Sequence, residues 1–403
     1  MSTTAFLPVK KGDLLAALRS FLADLLEKGI VDALLVPLEI GQGRSLAQTL
    51  VQNPAYLSRA NPLSPVMPIN SATLVSQLTR DKPSQKMGVV LRPCEIRALI
   101  ELVKLQQANL DNLTIIGVDC LGTYEVDDYA RLIGEMEGPA EEKGAQVVAE
   151  MRQRIEKGGA LPQSPPTLGG EKGGAVPLRT ACQICEFPTP VGADITLGLI
   201  GVEDGILVTL DSELAARLGL AEGEAPQPLG SAQACTERSR SDKREEVVAR
   251  LVEVRTAARD QAFAEFREAT KTIADFADQF ATCIRCYTCS VVCPICFCKE
   301  CVFRTETFEP ESERYFRGVQ RKGALRMPSE TLLYQLTRLN HMVASCVGCG
   351  MCESACPNDL PLTVIFRSVG AGVQKMLNYT PGRSLEDELP SLAIFREGEL
   401  VMR

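Results

Sequence analysis

Apolar residues follow a helical spacing over residues 11–29 and then gather in three short continuous runs. The runs VDALLVPLEI, KMGVVLRP and LTIIGVDC are almost uniformly apolar, which is typical of strands buried in a parallel sheet. The second run leads into CEIRALIELVKLQQ, where the helical spacing returns. Strand, helix and strand in this order predict an α/β N-terminal domain with a mostly parallel sheet.

Two polar segments interrupt this patterning. Residues 139–178 are rich in glycine, proline and charge, which predicts an insertion or flexible loop. Residues 222–243 form a second polar linker, in which Cys235 is expected to bind no metal. A long charged helix is then predicted over roughly 244–280.

The charge balance and cysteine content narrow the expected partners and ligands. With 43 Lys and Arg against 51 Asp and Glu, the net charge of −8 argues against nucleic acid or an anionic membrane surface as the main partner. Because no apolar run is long enough for a membrane span and the first residues lack the order of a signal peptide, we expect a cytoplasmic protein. The single histidine leaves thiolate as the principal metal ligand, and the close clustering of the 16 cysteines favours metal ligation over disulfides.

Two cysteine runs near the C-terminus share one spacing. Each run has three cysteines separated by two residues, then a fourth after three more residues, and then a proline. This is the bacterial ferredoxin signature, in which the fourth cysteine of one run binds the cluster of the other run. It predicts two 4Fe-4S clusters, one held by Cys283, Cys286, Cys289 and Cys356, the other by Cys346, Cys349, Cys352 and Cys293. A zinc site would favour two separated cysteine pairs instead.

The same region holds further cysteines and a helix. Three leftover cysteines are expected to form an extra site, to replace an assigned ligand or to remain free thiols: Cys296, Cys298 and Cys301. Between the two runs, PSETLLYQLTRLNHMVA has helical spacing, which predicts a mostly helical two-cluster ferredoxin domain. The predicted divisions of the chain are the α/β domain at 1–222, the linker and long helix at 223–281, and the ferredoxin domain at 282–403.

Four more cysteines lie in the predicted α/β domain. Cys94 and Cys120 follow two of the strand-like runs, and Cys182 and Cys185 are separated by two residues. Ligands gather beyond the carboxyl ends of parallel strands, so the four thiolates are candidates for one more metal centre. Taken singly, Cys94 and Cys120 also fit as small apolar core residues. The spacing does not decide between a third 4Fe-4S cluster and a zinc ion.

Short motifs around these four cysteines resemble the beta subunits of deazaflavin-reducing hydrogenases and formate dehydrogenases. The motifs are RPCEIRAL, GVDC, and CQICEF followed by GADITLGLIG, and the resemblance covers roughly residues 30–220. It implies that Cys94, Cys120, Cys182 and Cys185 bind a third 4Fe-4S cluster beside FAD, which exchanges a hydride with a deazaflavin or a similar carrier. The ferredoxin motifs follow this domain, which resembles the formate dehydrogenase beta subunits found with heterodisulfide-reductase-type complexes.

No residue of the sequence identifies the FAD site. GQGRS at 41–45 follows a strand-like run but lacks the third glycine of a dinucleotide-binding loop, and an ordinary turn is the alternative interpretation. FAD is therefore implied by the resemblance alone.

Two functional hypotheses follow. In the first, the chain is an iron-sulfur, flavin-containing beta subunit of an oxidoreductase complex of anaerobic metabolism. It relays electrons between a catalytic partner, such as formate dehydrogenase or hydrogenase, and a hydride or electron carrier. In the second, it is a pure iron-sulfur electron-transfer protein without flavin or substrate site.

The expected assembly is a hetero-oligomer with a catalytic oxidoreductase subunit. The resemblance implies subunits of the heterodisulfide-reductase type as candidate further members. The chain shows no nucleophile with a plausible base, and formate oxidation requires a molybdenum or tungsten subunit that it does not resemble, so catalysis is assigned to the partner. A zinc-stabilised interaction protein is a further alternative, but it leaves the ferredoxin repeat without a role.

Overall fold

The computed structural model describes residues 2–9, 13–158, 176–220, 232–305, 308, 312–323 and 330–390. Within these ranges the chain forms two compact units. The first comprises the described residues up to Asp260 together with Gly382–Glu386. The second comprises Gln261–Pro381 and the described residues from Asp387 onward.

A seven-stranded sheet forms the centre of the first unit. Its strands are β1 (Ser2–Pro8), β2 (Ala33–Ile40), β3 (Ser45–Val51), β4 (Met87–Leu91), β5 (Leu113–Val118), β6 (Ile195–Gly198) and β7 (Gly205–Asp211), in the order β1-β7-β6-β5-β4-β2-β3. Strands β2, β4, β5 and β6 pair in parallel, whereas β3 on one side and β7 and β1 on the other add antiparallel pairs. Because β1 is antiparallel to β7, which is antiparallel to β6, five strands point the same way. The predicted mostly parallel α/β sheet is confirmed.

The helices of the first unit supply the rest of its core. They are α1 (Leu14–Glu27), α2 (Ser71–Thr79), α3 (Pro93–Lys104), α4 (Val126–Glu135), α5 (Ala140–Glu156), α6 (Thr180–Gln183) and α7 (Ser212–Leu218), and α8 (Ala232–Ala269) begins here. Helix α1 starts where Asp13 accepts a hydrogen bond from the Ala16 amide at 2.9 Å. Its apolar face, including Phe21 and Leu22, is buried in the main core with strands β2, β6 and β7.

Two expectations about the polar segments were wrong in part. The first half of the expected loop at 139–178 contains helix α5, and Val147, Met151 and Ile155 bury its apolar face in a second core cluster. Residues 159–175 of that loop lie outside the described residues. The long helix α8 begins at Ala232, earlier than the expected start near 244, so the end of the predicted linker is helical.

The second unit is built from helices and loops. Its helices are α9 (Ile273–Asp278), α10 (Thr288–Val291), α11 (Ser312–Lys322), α12 (Glu330–Met342), α13 (Met351–Ser354) and α14 (Leu362–Met376), and Val302–Arg304 forms a short 3-10 turn. This confirms the predicted mostly helical C-terminal region. Across the described ranges of the chain, none of the helices has the length and apolar character needed to cross a membrane.

Helix α12, which lies between the two cysteine runs, was predicted from its apolar spacing. Leu333 and Leu336 are about half exposed, whereas Tyr334, Gln335 and Arg338 are buried. The helix is therefore confirmed, and its buried side includes polar side chains.

Candidate iron-sulfur sites

The second unit contains a cavity lined by cysteines from both runs. Its lining includes four cysteines: Cys283, Cys286, Cys289 and Cys356. Three come from the first run, and Cys356 comes from the end of the second run. These are the four residues that the sequence assigns to one cluster. We refer to this as the first cavity.

The second cavity repeats the arrangement with the runs exchanged. Its lining includes Cys346, Cys349, Cys352 and Cys293. Each run thus contributes three cysteines to one cavity and its fourth cysteine to the other. The fold brings the two runs together in the crossed arrangement that the ferredoxin signature requires.

The two runs share a backbone conformation as well as a spacing. Arg285 and Gly348, which directly precede the second cysteine of their runs, have φ of 56° and 72°. Alternation of left- and right-handed residues points successive amide N–H groups into one concavity, which suits an anionic group. Each run then enters a short helix, α10 or α13, that contains its third cysteine.

Polar side chains of α12 approach the thiols of the first cavity. The Nε2 of Gln335 donates to the Sγ of Cys283 at 3.6 Å. The hydroxyl of Tyr334 lies 3.5 Å from the Sγ of Cys289.

Burial raises the pKa of Cys283, and in the second cavity it raises the pKa of Cys352 well above its ordinary value. With a raised pKa, these thiols keep their protons when no metal is bound. Binding of a cluster displaces the proton and makes each buried sulfur a thiolate.

Unpartnered donors at the cavities fit a negatively charged group. Among the described residues, the Oγ1 of Thr363 and the Nε and Nη1 of Arg338 are buried without a hydrogen-bond partner, and both side chains line the second cavity. Such donors are costly when no acceptor is near. A thiolate-bound 4Fe-4S cluster supplies both acceptor sulfurs and negative charge, so the residues present fit this group.

In the first unit, Cys94 and Cys120 follow neighbouring parallel strands. Leu91 at the end of β4 is in register with Gly117 of β5. Both cysteines therefore lie just beyond the carboxyl edge of the sheet, where ligands gather in α/β domains.

The residues around Cys94 fix the start of helix α3. Pro93 is the first residue of the helix, where its missing N–H carries no penalty. The buried carboxylate of Glu95 accepts hydrogen bonds from the Arg92 amide at 2.8 Å and from the Ser71 hydroxyl at 2.5 Å. This capping arrangement holds Cys94 in the first turn of the helix.

Cys182 and Cys185 approach the same part of the unit as Cys120. The amide and the hydroxyl of Thr123 contact the Sγ of Cys182 at 3.3 and 3.2 Å. Burial raises the pKa of Cys120 to about 11, and the neighbouring Cys182 and Cys185 add to this rise. The structure therefore brings Cys120 close to Cys182 and Cys185.

Arginine side chains surround this group of thiols. Arg255 of helix α8 is 3% exposed, and its Nη2 donates to the Leu121 carbonyl at 2.6 Å. Its Nε is buried without a partner among the described residues, and its charge, like that of Arg92, lowers the pKa of Cys120. Buried cations beside thiols suit an anionic centre.

None of the three cysteine groups forms a compact site for one ion among the described residues. Across the residues that the structure describes, no three Cys, His, Asp or Glu side chains converge as a site for a single metal ion. A four-iron cluster does not require such convergence, because each thiolate binds a different iron.

The remaining cysteines lie outside both cavities. Cys298 is exposed, whereas Cys296 and Cys301 are half-buried, and none of them lines either cavity. Burial and then the neighbouring Cys293 raise the pKa of Cys296 to about 11. The side chain of Cys235 lies outside the described part of the chain.

The glycine-containing segment at 41–45 is a hairpin turn. Strands β2 and β3 are antiparallel, with Ile40 opposite Ser45. A dinucleotide-binding loop joins a strand to a helix. The structure therefore favours the ordinary turn over the phosphate loop.

Arg338, Thr123 and Arg255 are among the polar residues of these sites that were not predicted. Arg338 lies three and four residues after Gln335 and Tyr334, so a polar stripe at helical spacing was an available signal. Thr123 follows Cys120 in a loop without periodic pattern. Arg255 is one of many arginines in a charged helix, and nothing in the sequence distinguishes it.

Comparisons with known proteins match both units. Residues 84–216 match the family defined by the C terminus of the coenzyme F420 hydrogenase/dehydrogenase beta subunit, and residues 279–360 match the 4Fe-4S dicluster domain. The F420-dependent formate dehydrogenase subunit beta of Methanocaldococcus jannaschii is 28% identical over 381 residues, which cover 91% of each chain. The F420-dependent formate dehydrogenase 1 subunit beta of Methanococcus maripaludis is 27% identical over 95% of this chain and 94% of its own.

A similar chain also occurs in a solved structure, the xenon-derivatised F420-reducing [NiFe] hydrogenase complex from Methanosarcina barkeri. It is 12% identical with a TM-score of 0.42, and the match covers 68% of this chain and 94% of that chain. The matched domains and the similarity to these relatives confirm the resemblance seen in the motifs. The chain therefore contains a domain of the coenzyme F420 hydrogenase/dehydrogenase beta subunit type and a 4Fe-4S dicluster domain, and over most of its length it is similar to F420-dependent formate dehydrogenase beta subunits.

Proposed function

We propose that this chain is the iron-sulfur electron-transfer beta subunit of a formate dehydrogenase or hydrogenase complex that exchanges electrons with coenzyme F420 or a similar deazaflavin. The observation that carries the proposal is the pair of cavities in the second unit, each lined by three cysteines of one run and the fourth of the other. The similarity to F420-dependent formate dehydrogenase beta subunits supports this choice of complex.

The chain supplies ligands and sets the environment of the clusters. Eight cysteines are assigned to the two clusters of the second unit: Cys283, Cys286, Cys289 and Cys356, and Cys346, Cys349, Cys352 and Cys293. Four are assigned to a third cluster in the first unit: Cys94, Cys120, Cys182 and Cys185. Gln335 and Thr123 direct polar hydrogens at ligand sulfurs, which tunes the electron affinity of the site.

FAD belongs to the proposal through the family resemblance and a chemical requirement. A deazaflavin accepts a hydride, which carries two electrons, whereas each iron-sulfur cluster exchanges one electron, and a flavin exchanges electrons in either way. The residues that bind FAD are not assigned. We assign hydride exchange to residues 1–222 and electron relay to residues 282–403. The linker and long helix at 223–281 connect these two parts of the chain.

The proposed setting is a cytoplasmic hetero-oligomer. The catalytic partner in the complex performs formate or hydrogen oxidation, because this chain is assigned no catalytic residue. Subunits of the heterodisulfide-reductase type are proposed as further partners, because the ferredoxin domain follows the α/β domain in this chain.

Cofactor analysis of one anaerobically purified sample tests the proposal. We expect about twelve irons and twelve sulfides per chain, with one FAD and no zinc. About eight irons with zinc and no flavin would instead identify a two-cluster electron carrier with a structural metal. Absence of acid-labile sulfide would overturn the iron-sulfur assignment altogether.

A matched pair of variants tests the third cluster. Cys185→Ala should lower the iron content by about four per chain, because it removes one assigned ligand. Cys298→Ala removes an exposed thiol that lines neither cavity, and it should leave the iron content unchanged. Equal iron content in the two variants would contradict the assignment of Cys185.

A further inference from the structure

Arg338 contacts a residue of one cysteine group in the second unit and lines the cavity of the other. It lies on helix α12, and its side chain is buried, with 4% of the residue exposed. Its Nη2 donates to the carbonyl of Cys289, a residue of the first cavity, at 3.2 Å. The same side chain lines the second cavity beside Cys352 and Cys293.

Within the described part of the chain, the Arg338 guanidinium is left partly unpaired. Its guanidinium carbon lies 4.6 Å from the centre of the Phe366 ring. Its Nε and Nη1 have no hydrogen-bond partner among the described residues. Arginine does not give up its proton in proteins, and a buried charge without a counter-charge is strongly unfavourable. The charge and the unpaired donors of Arg338 are therefore satisfied only when an anion lies next to its guanidinium.

The residues next to Arg338 show where that anion belongs. Its Nη2 donates to Cys289 at the first cavity, and its side chain lines the second cavity together with Cys352 and Cys293. Cys289 belongs to the first group of ligands, and Cys352 and Cys293 belong to the second. One cation thus faces ligands of both proposed clusters.

We propose that Arg338 is a positioning cation shared by the two clusters, which raises the reduction potential of both. The inference rests on the proposed ligation of two 4Fe-4S clusters. Reduction adds one electron, supplied by the redox partner, to a cluster that is already an anion when bound by four thiolates. A fixed positive charge nearby stabilises the reduced form more than the oxidised form, and net charge and hydrogen bonding are known determinants of cluster potential.

Redox titration of the purified protein, followed by electron paramagnetic resonance, tests the proposal. In Arg338→Gln we expect the ratio of reduced to oxidised cluster at a fixed potential to fall about tenfold for both clusters, which equals about 59 mV each. Arg338→Lys keeps the charge and should recover much of the shift. Arg317→Gln removes an exposed arginine of the same unit and should change neither potential, because water screens its charge.

Each outcome separates this inference from the proposed function. If Arg338→Gln retains the wild-type iron content and neither or only one potential falls, the shared cation is refuted while the clusters stand. If wild-type protein itself lacks two low-potential cluster signals, the proposed function fails first.

A measurement on the wild-type protein covers the case in which Arg338→Gln loses its clusters. Arginine labelled with ¹⁵N should then show nitrogen hyperfine coupling to both reduced clusters, and this coupling should persist in a protein with Arg285→Lys and Arg367→Lys, which removes the other arginines that line the two cavities. Absence of such coupling to either cluster overturns the proposal.

Discussion

Tyr287 and Gly350 occupy the same position in the two cysteine runs, and both have a left-handed backbone, with φ of 60° and 73°. Each residue directly follows the second cysteine of its run and caps the short helix that holds the third. A side chain in this conformation costs roughly 1–2 kcal/mol. The ring of Tyr287 packs edge-on against Tyr334, with ring centroids 4.9 Å apart, which offsets part of this cost. The two runs therefore share a backbone conformation at the proposed cluster sites, although the residue at this position is a tyrosine in one run and a glycine in the other.

Adding a side chain to the glycine before the second cysteine of the second run should damage that cluster. In Gly348→Ala, the new Cβ would lie 2.7 Å from the Cδ of Arg367, at a φ of 72°. We expect a loss of roughly 1–2 kcal/mol from the backbone conformation, plus the cost of displacing Arg367. The measurement is the thermal unfolding midpoint together with iron content, and the iron content should fall by up to about four per chain.

Gly372→Ala is the matched control for this change. Gly372 is exposed on helix α14, and an added Cβ meets nothing within 4 Å. Alanine favours the helix by up to about 1 kcal/mol over glycine, so this variant should be neutral or slightly more stable. Equal behaviour of the two alanine variants would show that the left-handed turn at Gly348 is not needed.

The crossed cysteine arrangement predicts which cluster each fourth cysteine serves. Cys356→Ala should remove or distort the cluster held by Cys283, Cys286 and Cys289, because all four line the first cavity. The cluster of the second cavity should retain its electron paramagnetic resonance signal. Cys293→Ala should give the reciprocal loss, since Cys293 lines the second cavity. Loss of the second cluster in Cys356→Ala, with the first intact, would contradict crossed ligation.

The sequence predicted the middle of the sheet better than its edges. Strands β2, β4 and β5 are almost entirely buried, so both of their faces had to be apolar, and this made them readable as continuous runs. Strands β1 and β3 lie at the edges, where each has one neighbour and carries polar residues among the apolar ones. Strand β7 has the mostly apolar sequence GILVTLD, which is typical of a strand, but it was not predicted.

For the sites, spacing predicted which cysteines share a cavity but not what surrounds them. Covalent chemistry fixes the interval between cluster ligands, so the two runs were recognisable in the chain itself. Arg338 and Thr123 act through contacts between segments distant in sequence, and such contacts depend on the tertiary fold. Helix α5 was missed because charge and glycine at 139–178 obscured the apolar residues that it buries.

The buried ion pair between Asp119 and Arg244 should be important for the stability of the first unit. The Asp119 side chain is fully buried, and it accepts hydrogen bonds from the Leu199 and Ile200 amides at 2.7 and 2.9 Å. Its Oδ1 lies 2.8 Å from the Nη2 of Arg244. Asp119→Asn leaves the arginine without its counter-charge, which should cost about 3 kcal/mol. Thermal unfolding of the anaerobic protein should show a midpoint lower by roughly 6–12 °C.

An exposed ion pair provides the comparison for Asp119→Asn. Lys243 and Glu203 form a salt bridge whose side chains are 50% and 67% exposed. Glu203→Gln should leave the midpoint nearly unchanged, because water and salt screen the pair. A midpoint for Asp119→Asn as high as that for Glu203→Gln would show that Arg244 is stabilised by other groups.

The Thr123 hydroxyl should tune the proposed third cluster through Cys182. The Oγ1 of Thr123 accepts a hydrogen bond from the Nη1 of Arg179 at 3.2 Å and lies 3.2 Å from the Cys182 Sγ. A cluster-bound thiolate carries no hydrogen, so in the proposed site the hydroxyl donates to the sulfur. Hydrogen bonds to ligand sulfur stabilise the reduced cluster, so Thr123→Val should lower the reduction potential of this cluster while the iron content is retained. Thr123→Ser keeps the hydroxyl and should retain the wild-type potential. Redox titration of the two variants measures the difference, and identical potentials would show that the hydroxyl does not act on the cluster.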